Sequence, residues 1–206
     1  MTLPAPFSLA AVLLAGGASR RFGLKNKLLA DIDGVPIVAK VAREILDGGV
    51  DELVVVTGSE HDAYVDALEG LSVRFVRNPE WDEGIGNSIA AGVRAVPPSR
   101  AGVFIVPGDL PNLTGDVLRK LADAFTRDVS HPIVVPVTTR GEQRNPVLWP
   151  RRHFPELDVL SGPKGGKSLL DSLKGERLDV AFDDESVFVD IDTTDDYERF
   201  LSGDNG

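Results

Sequence analysis

The chain has 206 residues, of which 42% are hydrophobic, and its formal net charge is −10 at pH 7. This length suffices for one domain with a sizeable core. The negative net charge argues against a nucleic acid or an anionic membrane as the main partner. The absence of cysteine excludes disulfides and thiolate chemistry. No apolar run reaches the roughly 18 residues of a membrane span, and segment 7–15 lacks the preceding positive charges of a signal peptide, so we expect a cytoplasmic protein.

Apolar, β-branched runs alternate with segments of helical period along the chain. The pattern predicts strands at 8–14, 53–56, 73–76, 103–106, 133–137, 146–149, 178–182 and 187–191. It predicts helices between and after them at 36–46, 61–68, 87–96, 114–125 and 195–201, and short helices at 153–160 and 167–173. This alternation predicts an α/β fold with a mostly parallel sheet covered by helices on both faces. We expect one domain over 1–206, with 202–206 as a frayed tail.

The turn after the first predicted strand is basic and contains two glycines. Residues 13–29 run LLAGGASRRFGLKNKLL, and the first thirty residues contain no acid. Gly16 and Gly17 allow a ligand to approach the backbone closely, and exposed N–H groups in such a turn favour anions. Four basic residues follow them: Arg20, Arg21, Lys25 and Lys27. The turn therefore predicts a polyphosphate site, the alternative being a plain turn with solvated basic residues, and it lacks the G-x-G-x-x-G dinucleotide pattern.

Two aspartates end predicted strands, on the edge where parallel sheets bind ligands. Asp109 follows a buried strand in VFIVPGDLP, and Asp192 ends a strand in VFVDIDTTDDYERF, where it shares one face with Asp190. One or two carboxylates with phosphate oxygens and water form a typical Mg²⁺ site. The alternative is that these residues only cap turns, and Thr193 and Asp196 do have the spacing of a capping box.

A glycine-containing loop precedes the third predicted helix, in NPEWDEGIGNSIAAGV. Asn87 or Ser88 is the expected N-cap of that helix. The loop around Gly84 and Gly86 is either a site where backbone groups contact a nucleotide base or a plain connection.

The segment GPKGGKSLL, residues 162–170, is similar to a P-loop but has three residues between its outer glycines where a P-loop has four, so we reject a P-loop. Lys164 and Lys167 remain candidates for contact with an anionic substrate. The three histidines are scattered and predict neither a metal site nor a catalytic triad.

Taken together, these motifs resemble those of the molybdenum cofactor nucleotidyltransferases, the MobA-like NTP transferases. L-A-G-G-x-S-x-R-F-G with the following N-K-L-L is similar to the family signature, and G-D-L-P to its G-D-M-P. G-I-G-N-S-I-A-A-G-V, R-N-P-V-L, FPELDVLSGPKGGKSLL and V-D-I-D-T are similar to the cytidylyltransferase branch. The likeness extends from about Val12 to Phe200.

The resemblance implies a Rossmann-like nucleotide-diphospho-sugar transferase fold. It implies catalytic roles for Arg21, Lys27 and Asp109, and Mg²⁺ bound by Asp109 and Asp192. The expected nucleotide-binding residues are Leu14, Ala15, Gly16, Gly17, Arg21, Lys27, Gly84 and Ser88. The expected acceptor-binding residues are Asn145, Lys164 and Lys167.

The function that the resemblance implies is Mg²⁺-dependent transfer of a nucleotidyl group from an NTP, with CTP favoured, to a phosphorylated acceptor such as molybdopterin. Pyrophosphate is released, and a molybdoenzyme or its chaperone is a further candidate partner. The Ala15-Gly16-Gly17 turn is similar to the guanylyltransferase branch, and Asn145 stands where cytidylyltransferases often have His. GTP as donor, a sugar phosphate or phospholactate as acceptor, and a nucleotide-binding carrier or chaperone without turnover remain alternatives.

Overall fold

The computed structural model describes residues 8–17 and 26–203. In chain order its strands are β1 (Leu9–Ala15), β2 (Asp31–Ile32), β3 (Val35–Pro36), β4 (Glu52–Thr57), β5 (Arg74–Arg77), β6 (Gly102–Pro107), β7 (Ile133–Thr138), β8 (Val147–Pro150) and β9 (Arg177–Phe182). Its helices are α1 (Ile37–Asp47), α2 (His61–Ala67), α3 (Ile85–Ala95), α4 (Gly115–Arg127), α5 (Phe154–Leu157), α6 (Lys167–Ser172) and α7 (Thr194–Ser202).

Seven of the strands form the central sheet, in the order β5-β4-β1-β6-β8-β7-β9. Neighbouring strands run parallel except at β8, which is antiparallel to both β6 and β7. Parallel neighbours need a crossover connection, and the intervening helices supply it. The predicted α/β fold with a mostly parallel sheet is confirmed.

Helices pack on both faces of this sheet, as predicted. Alternate residues of β1 point to opposite faces because side chains alternate along a strand: Leu13 belongs to the core beneath α1, α2 and α4, whereas Val12 belongs to the core beneath α3, α5 and α6. Every residue of β1 is buried. Burying one Leu or Val side chain contributes roughly 1.5–3 kcal/mol, so β1 is firmly held and positions the turn that follows it.

The strand predicted at 187–191 is wrong. The chain forms a 3-10 turn at Glu185–Phe188 instead, and the Asp184 carboxylate accepts hydrogen bonds from the Ser186 N–H (3.0 Å) and hydroxyl (2.6 Å). The residues that reach the core are Phe188 and Ile191, which are spaced by three and not by the two that a strand requires. The segment therefore crosses the edge of the sheet without pairing to it.

The predicted cap of the third helix is also wrong. α3 begins at Ile85, with Gly84 at the N-cap in a backbone conformation of φ 138° and without a side-chain cap. Asn87 lies inside the helix, and its amide oxygen accepts a hydrogen bond from the Gly162 N–H at 2.9 Å. The Asn87 side chain, which the sequence pattern predicts to cap the helix, therefore binds the backbone of a distant loop instead.

Two smaller features differ from the sequence prediction. β2 and β3 form a short antiparallel hairpin, turned by Asp33 and Gly34 at φ 56° and 81°. An Asp-Gly pair is a typical hairpin signal, but no strand is predicted on either side of it. Ser202 is the last residue of α7 and Gly203 caps it with φ 75°, so regular structure extends into the segment predicted to fray. The predicted capping box of Thr193 and Asp196 at the start of α7 is confirmed.

Candidate active site

The carboxyl ends of β1 and β6 lie side by side at one edge of the sheet. Gly16 and Gly17 follow β1, and Gly108 and Asp109 follow β6. The Gly108 N–H donates a hydrogen bond to the Leu14 carbonyl at 3.2 Å. The two turns singled out in the sequence are therefore adjacent, on the edge where α/β sheets bind ligands.

Three of the predicted site residues meet at this edge. The Lys27 ammonium lies 2.6 Å from Oδ2 of Asp109 and 3.0 Å from Oδ1 of Asp192, although these partners are 82 and 165 residues away along the chain. The lysine side chain is 15% exposed, and the two carboxylates 20% and 36%. No acid precedes Lys27 in the sequence, and the fold brings two carboxylates to it from distant segments.

The local structure around Lys27 explains this convergence. Leu28 is buried and packs on Gly108, directly before Asp109: a Cβ added to Gly108 would lie 3.0 Å from a Leu28 methyl carbon. The Asp109 carbonyl in turn accepts a hydrogen bond from the Ile191 N–H at 3.1 Å, which brings the next residue, an aspartate, to the same place. A packing contact and a backbone hydrogen bond thus bring three distant segments together.

The electrostatics of this cluster favour a charged lysine among excess carboxylates. Burial alone would lower the pKa of Lys27, but attraction to Asp109, the hydrogen bonds that the ammonium donates to both carboxylates and attraction to Asp192 outweigh it and raise that pKa. Partial desolvation, followed by repulsion from Asp109 and Asp192, raises the pKa of Asp190, which lies on the wall of the same cleft. Within the part of the chain that the structure describes, acidic groups therefore outnumber basic groups at this cluster.

The two carboxylates could bind a divalent cation whose remaining coordination positions are filled by a phosphate ligand. Oxygens of Asp109 and Asp192 both contact one cationic group, the Lys27 ammonium, which marks a point where both carboxylates can bind positive charge. Over 8–17 and 26–203, no group of three or more acidic, His or Cys side chains is placed to hold a metal. Mg²⁺ typically takes one or two carboxylates together with substrate phosphates, so these two residues match that mode.

The predicted nucleotide-binding residues Gly16 and Ser88 lie together. A Cβ added to Gly16 would be 3.3 Å from the Ser88 hydroxyl, whereas one added to Gly17 would meet nothing within 4 Å among the described residues. Ser88 is buried and accepts a hydrogen bond from the amide nitrogen of Asn78 at 3.1 Å. A polar pair on α3 and its preceding loop thus faces the backbone of the first turn. Leu14 and Ala15 are buried in β1.

The two glycine-containing loops of the sequence analysis pack on each other. A Cβ at Gly84 would lie 2.3 Å from the Gly162 carbonyl carbon, and one at Gly86 would lie 2.7 Å from the Ser161 carbonyl carbon. The Gly86 N–H also donates to the Gly162 carbonyl at 2.9 Å. The glycines at 84 and 86 are required here for backbone-to-backbone contact, which holds 161–163 against the start of α3.

The segments that follow these two loops line a mostly apolar cavity of about 210 Å³. The predicted acceptor residues Asn145, Lys164 and Lys167 all line it, with Trp149 and Ile85 among its apolar walls. Lys164 and Lys167 are both exposed, so they are accessible to solvent and to a ligand. The structure brings the three predicted acceptor residues together.

A larger cleft of about 840 Å³ adjoins this cavity and contains Asp109 and Asp190. Ile85, Pro107, Gln143 and Asn145 line both spaces. The polar cleft residues that the sequence patterns did not single out are Gln143, Arg144, Glu185, Ser186 and Arg199. Only Arg144 had a signal, since it precedes the Asn-Pro pair of the resemblance.

Other sequence predictions concern a residue outside the described ranges and side chains that lie away from this cluster. Arg21 lies outside the described residues. His61 contacts the Thr57 hydroxyl through Nδ1 at 2.7 Å, and His153 is buried with Nε2 3.2 Å from Glu176, which are structural positions. Within 8–17 and 26–203, no helix combines the length and apolarity needed to cross a bilayer.

A family model described as the MobA-like NTP transferase domain matches residues 11–178. A probable molybdenum cofactor guanylyltransferase of Natronomonas pharaonis is 37% identical over 126 residues, which are 61% of this chain and 59% of that protein. The chain thus aligns with less than two thirds of this relative. Nicotine blue oxidoreductase of Paenarthrobacter nicotinovorans is 28% identical over 201 residues, covering 92% of this chain and 95% of that protein. The molybdenum cofactor cytidylyltransferase of Escherichia coli is 23% identical over 190 residues, covering 90% and 92%.

Solved structures with the same fold include Rv0371c from Mycobacterium tuberculosis H37Rv, with a TM-score of 0.82 and 26% identity over 96% of this chain and all of that one. A second structure of that protein, described as a complex with manganese, has a TM-score of 0.77 and 26% identity, covering 95% of this chain and 98% of that one.

Proposed function

The chain belongs to the MobA-like NTP transferase family, a family of nucleotidyltransferases, and on that premise we propose that it transfers a nucleotidyl group from an NTP to a phosphorylated small molecule, with release of pyrophosphate. The proposed acceptor is molybdopterin or the molybdenum cofactor, the proposed donor is CTP, and the proposed metal is Mg²⁺. The observation that carries the proposal is the meeting of Lys27, Asp109 and Asp192 beside the Gly16–Gly17 turn.

This chemistry requires positioning and charge neutralisation but no covalent intermediate. A phosphomonoester is anionic near neutral pH and can attack the α-phosphate directly, in line with the departing pyrophosphate. The backbone N–H groups after β1 would contact the triphosphate, with Arg21 and Lys27 neutralising its charge. The absence of a serine or cysteine nucleophile paired with a base is consistent with this mechanism.

Asp109 and Asp192 would hold the metal, which supplies positive charge to the α-phosphate and to the leaving oxygen when bound. Manganese in a solved structure of a relative that is 26% identical supports a divalent-metal site in this fold. Ser88 and Gly84 lie where a nucleotide extending from the first turn would meet α3, which is the support for their role in nucleotide binding.

The smaller cavity is the proposed acceptor site. It combines apolar walls with two lysines and an amide side chain, which suits an acceptor that has a flat apolar part and an anionic group. Asn145, Lys164 and Lys167 would contact that acceptor. Its adjacency to the larger cleft would place the acceptor phosphate near the metal-binding carboxylates.

The base preference is proposed from the motifs that resemble the cytidylyltransferase branch. A cytidylyltransferase aligns over 92% of its own length, whereas the guanylyltransferase is more identical but over a shorter segment. A panel of four NTPs crossed with molybdopterin, a sugar phosphate and phospholactate tests donor and acceptor together. We expect pyrophosphate release to be greatest with CTP and molybdopterin. NTP binding without release in any combination would instead support a carrier or chaperone.

A second candidate function is oxidation or reduction of a heteroaromatic compound. It is favoured by the alignment with nicotine blue oxidoreductase, which covers 95% of that protein. The same panel, extended by a nicotinamide or flavin donor whose absorbance is followed, distinguishes the two functions, because a redox enzyme releases no pyrophosphate but changes that absorbance. The G-x-G-x-x-G pattern of dinucleotide binding is absent from the first turn, so we rank this function second.

A further inference from the structure

Lys27 occupies the position between the carboxylates that a divalent cation would need. Its ammonium contacts one oxygen of Asp109 at 2.6 Å and one of Asp192 at 3.0 Å. Mg²⁺ binds carboxylate oxygens at about 2.0–2.1 Å and requires near-octahedral geometry. The ammonium and the metal would therefore compete for the same oxygens and repel each other, so both cannot be bound between them at once.

We propose that Lys27 is an internal counterion that blocks the metal site until its side chain moves to the triphosphate, so that the divalent cation enters together with the nucleotide. This inference rests on the proposed function in one respect, namely that the two carboxylates bind a metal. It assigns Lys27 two successive partners: Asp109 and Asp192 without nucleotide, and phosphate oxygens with it.

The backbone around Lys27 suits such an exchange. The Asn26 side chain accepts a hydrogen bond from the Leu28 N–H at 3.0 Å and donates one to the Tyr64 hydroxyl at 2.8 Å. Leu28 is buried against the start of the segment that contains Asp109. The main chain is thus fixed on both sides of Lys27, whereas its four-carbon side chain has rotatable bonds that can carry the ammonium to a new partner.

The charge balance gives the exchange a direction. Among the described residues, one ammonium contacts two carboxylates, and Asp190 adds a third acidic group on the cleft wall. A triphosphate brings further negative charge to the glycine turn, which attracts Lys27, and a divalent cation then supplies the two carboxylates with more positive charge than the lysine did.

Binding of Mn²⁺ alone, measured by electron paramagnetic resonance of the free ion, tests the proposal without turnover. We expect weak binding to the wild type and binding at least about tenfold tighter to Lys27→Met, which removes the competing charge. Lys27→Arg should stay weak because it keeps that charge. Lys174→Met, whose lysine pairs with Asp171 on the exposed side of α6, is the matched control for loss of one charge. Equal or weaker Mn²⁺ binding by a folded Lys27→Met protein would overturn the proposal.

A measurement on the wild type covers the case in which Lys27→Met does not fold. Acylation of lysines by acetic anhydride, mapped by mass spectrometry, should be slow at Lys27 without metal and faster at saturating Mn²⁺, while labelling of Lys174 stays constant. Unchanged labelling of Lys27 at saturating Mn²⁺ would contradict the exchange. If Mn²⁺ behaves as expected but no NTP yields pyrophosphate, the exchange stands and the proposed function fails. The converse result would retain the function and remove the exchange.

Discussion

Two clusters of charged side chains lie at opposite ends of the strands of the sheet, and they differ in the ratio of basic to acidic groups. At the carboxyl ends of β1 and β6, one lysine faces two carboxylates from distant segments. Next to the start of β9, one carboxylate, Glu176, meets two basic side chains, Arg152 at 3.0 Å and His153 at 3.2 Å. Arg152 also donates hydrogen bonds to the carbonyls of Ser130 and His131, so this second cluster holds the loop between α4 and β7 in place.

The difference indicates which cluster is built for a ligand. The Glu176 cluster has enough donors for its carboxylate, and removing one partner should affect stability alone. Among the described residues, the Lys27 cluster places two carboxylates against one ammonium in a cleft, and neighbouring carboxylates repel each other. Perturbed, partly buried charges in a cleft are typical of functional sites.

The largest effect should come from Asp109→Asn. The amide retains the shape of the carboxylate but loses its charge, so we expect metal-dependent transfer to fall by about 10³-fold or more while Tm changes little. Pyrophosphate release and thermal melting of the same preparation check both parts. Asp128→Asn, at the exposed turn before β7, is the control. A large fall in Tm with activity retained would make Asp109 a structural residue.

The next largest effect should come from Lys27→Ala. We expect turnover to fall at least about 10²-fold, because the variant loses the charge that is proposed to contact the triphosphate. Circular dichroism should show an intact fold, because Leu28 and Asn26 still hold the backbone. Steady-state kinetics with CTP and molybdopterin measure the effect. Turnover at the wild-type rate in the folded variant would remove Lys27 from the catalytic set.

Gly16→Ala should have a moderate effect, on base choice. The new Cβ would lie 3.3 Å from the Ser88 hydroxyl, so it would displace that residue and narrow the space beside it. We expect kcat/KM to fall more for GTP than for CTP, by roughly 1–3 kcal/mol of discrimination. Gly175→Ala, where a Cβ meets nothing within 4 Å in the described structure, is the control. An unchanged ratio of the two nucleotides would show that base choice lies elsewhere, with the 84–88 loop the next region to test.

The smallest effect should come from Glu176→Gln, in the second cluster. The hydrogen bond from Arg152, with a smaller contribution from His153, holds the pKa of Glu176 below its ordinary value. A lowered carboxyl pKa contributes stability above the unfolded-state pKa of about 4.3, and that stability is lost as the pH falls through the folded-state pKa. The variant should therefore melt slightly below the wild type at pH 7, and the two should converge in acid.

Urea denaturation of both proteins from pH 7 to pH 3 measures that convergence, with Glu198→Gln on α7 as the control. Transfer activity should be unaffected, which distinguishes this cluster from the first. A difference between wild type and variant that grows toward acid pH would contradict the assignment.

The sequence predicted the elements well wherever packing enforces a period. The alternation of apolar runs identified the sheet and the helices on both faces, because buried strands and amphipathic helices leave distinct patterns. It failed at 187–191, where the apolar residues fit a strand but Phe188 and Ile191 are the ones that reach the core. It also failed at the start of α3, where Asn87 bonds to a loop 75 residues away instead of capping the helix.

The site was predictable residue by residue but not as an arrangement. Lys27, Asp109 and Asp192 each stood out from their local context. Their mutual contact depends on Leu28 packing against Gly108 and on one backbone hydrogen bond from Ile191, and neither of these has a local signature. The contact of Gly84 with Gly162 is of the same kind, since a glycine indicates that something approaches closely but not which segment does so.

The central claim is that the Lys27 cluster is a metal-dependent nucleotide site. The most direct measurement is the anomalous difference density of Mn²⁺ in a crystal soaked with Mn²⁺ and CTP. We expect a Mn²⁺ peak between the carboxylates of Asp109 and Asp192, in contact with the triphosphate, and the Lys27 ammonium moved from the carboxylates to phosphate oxygens. A nucleotide and metal bound elsewhere, with Lys27 still paired to both carboxylates, would contradict it.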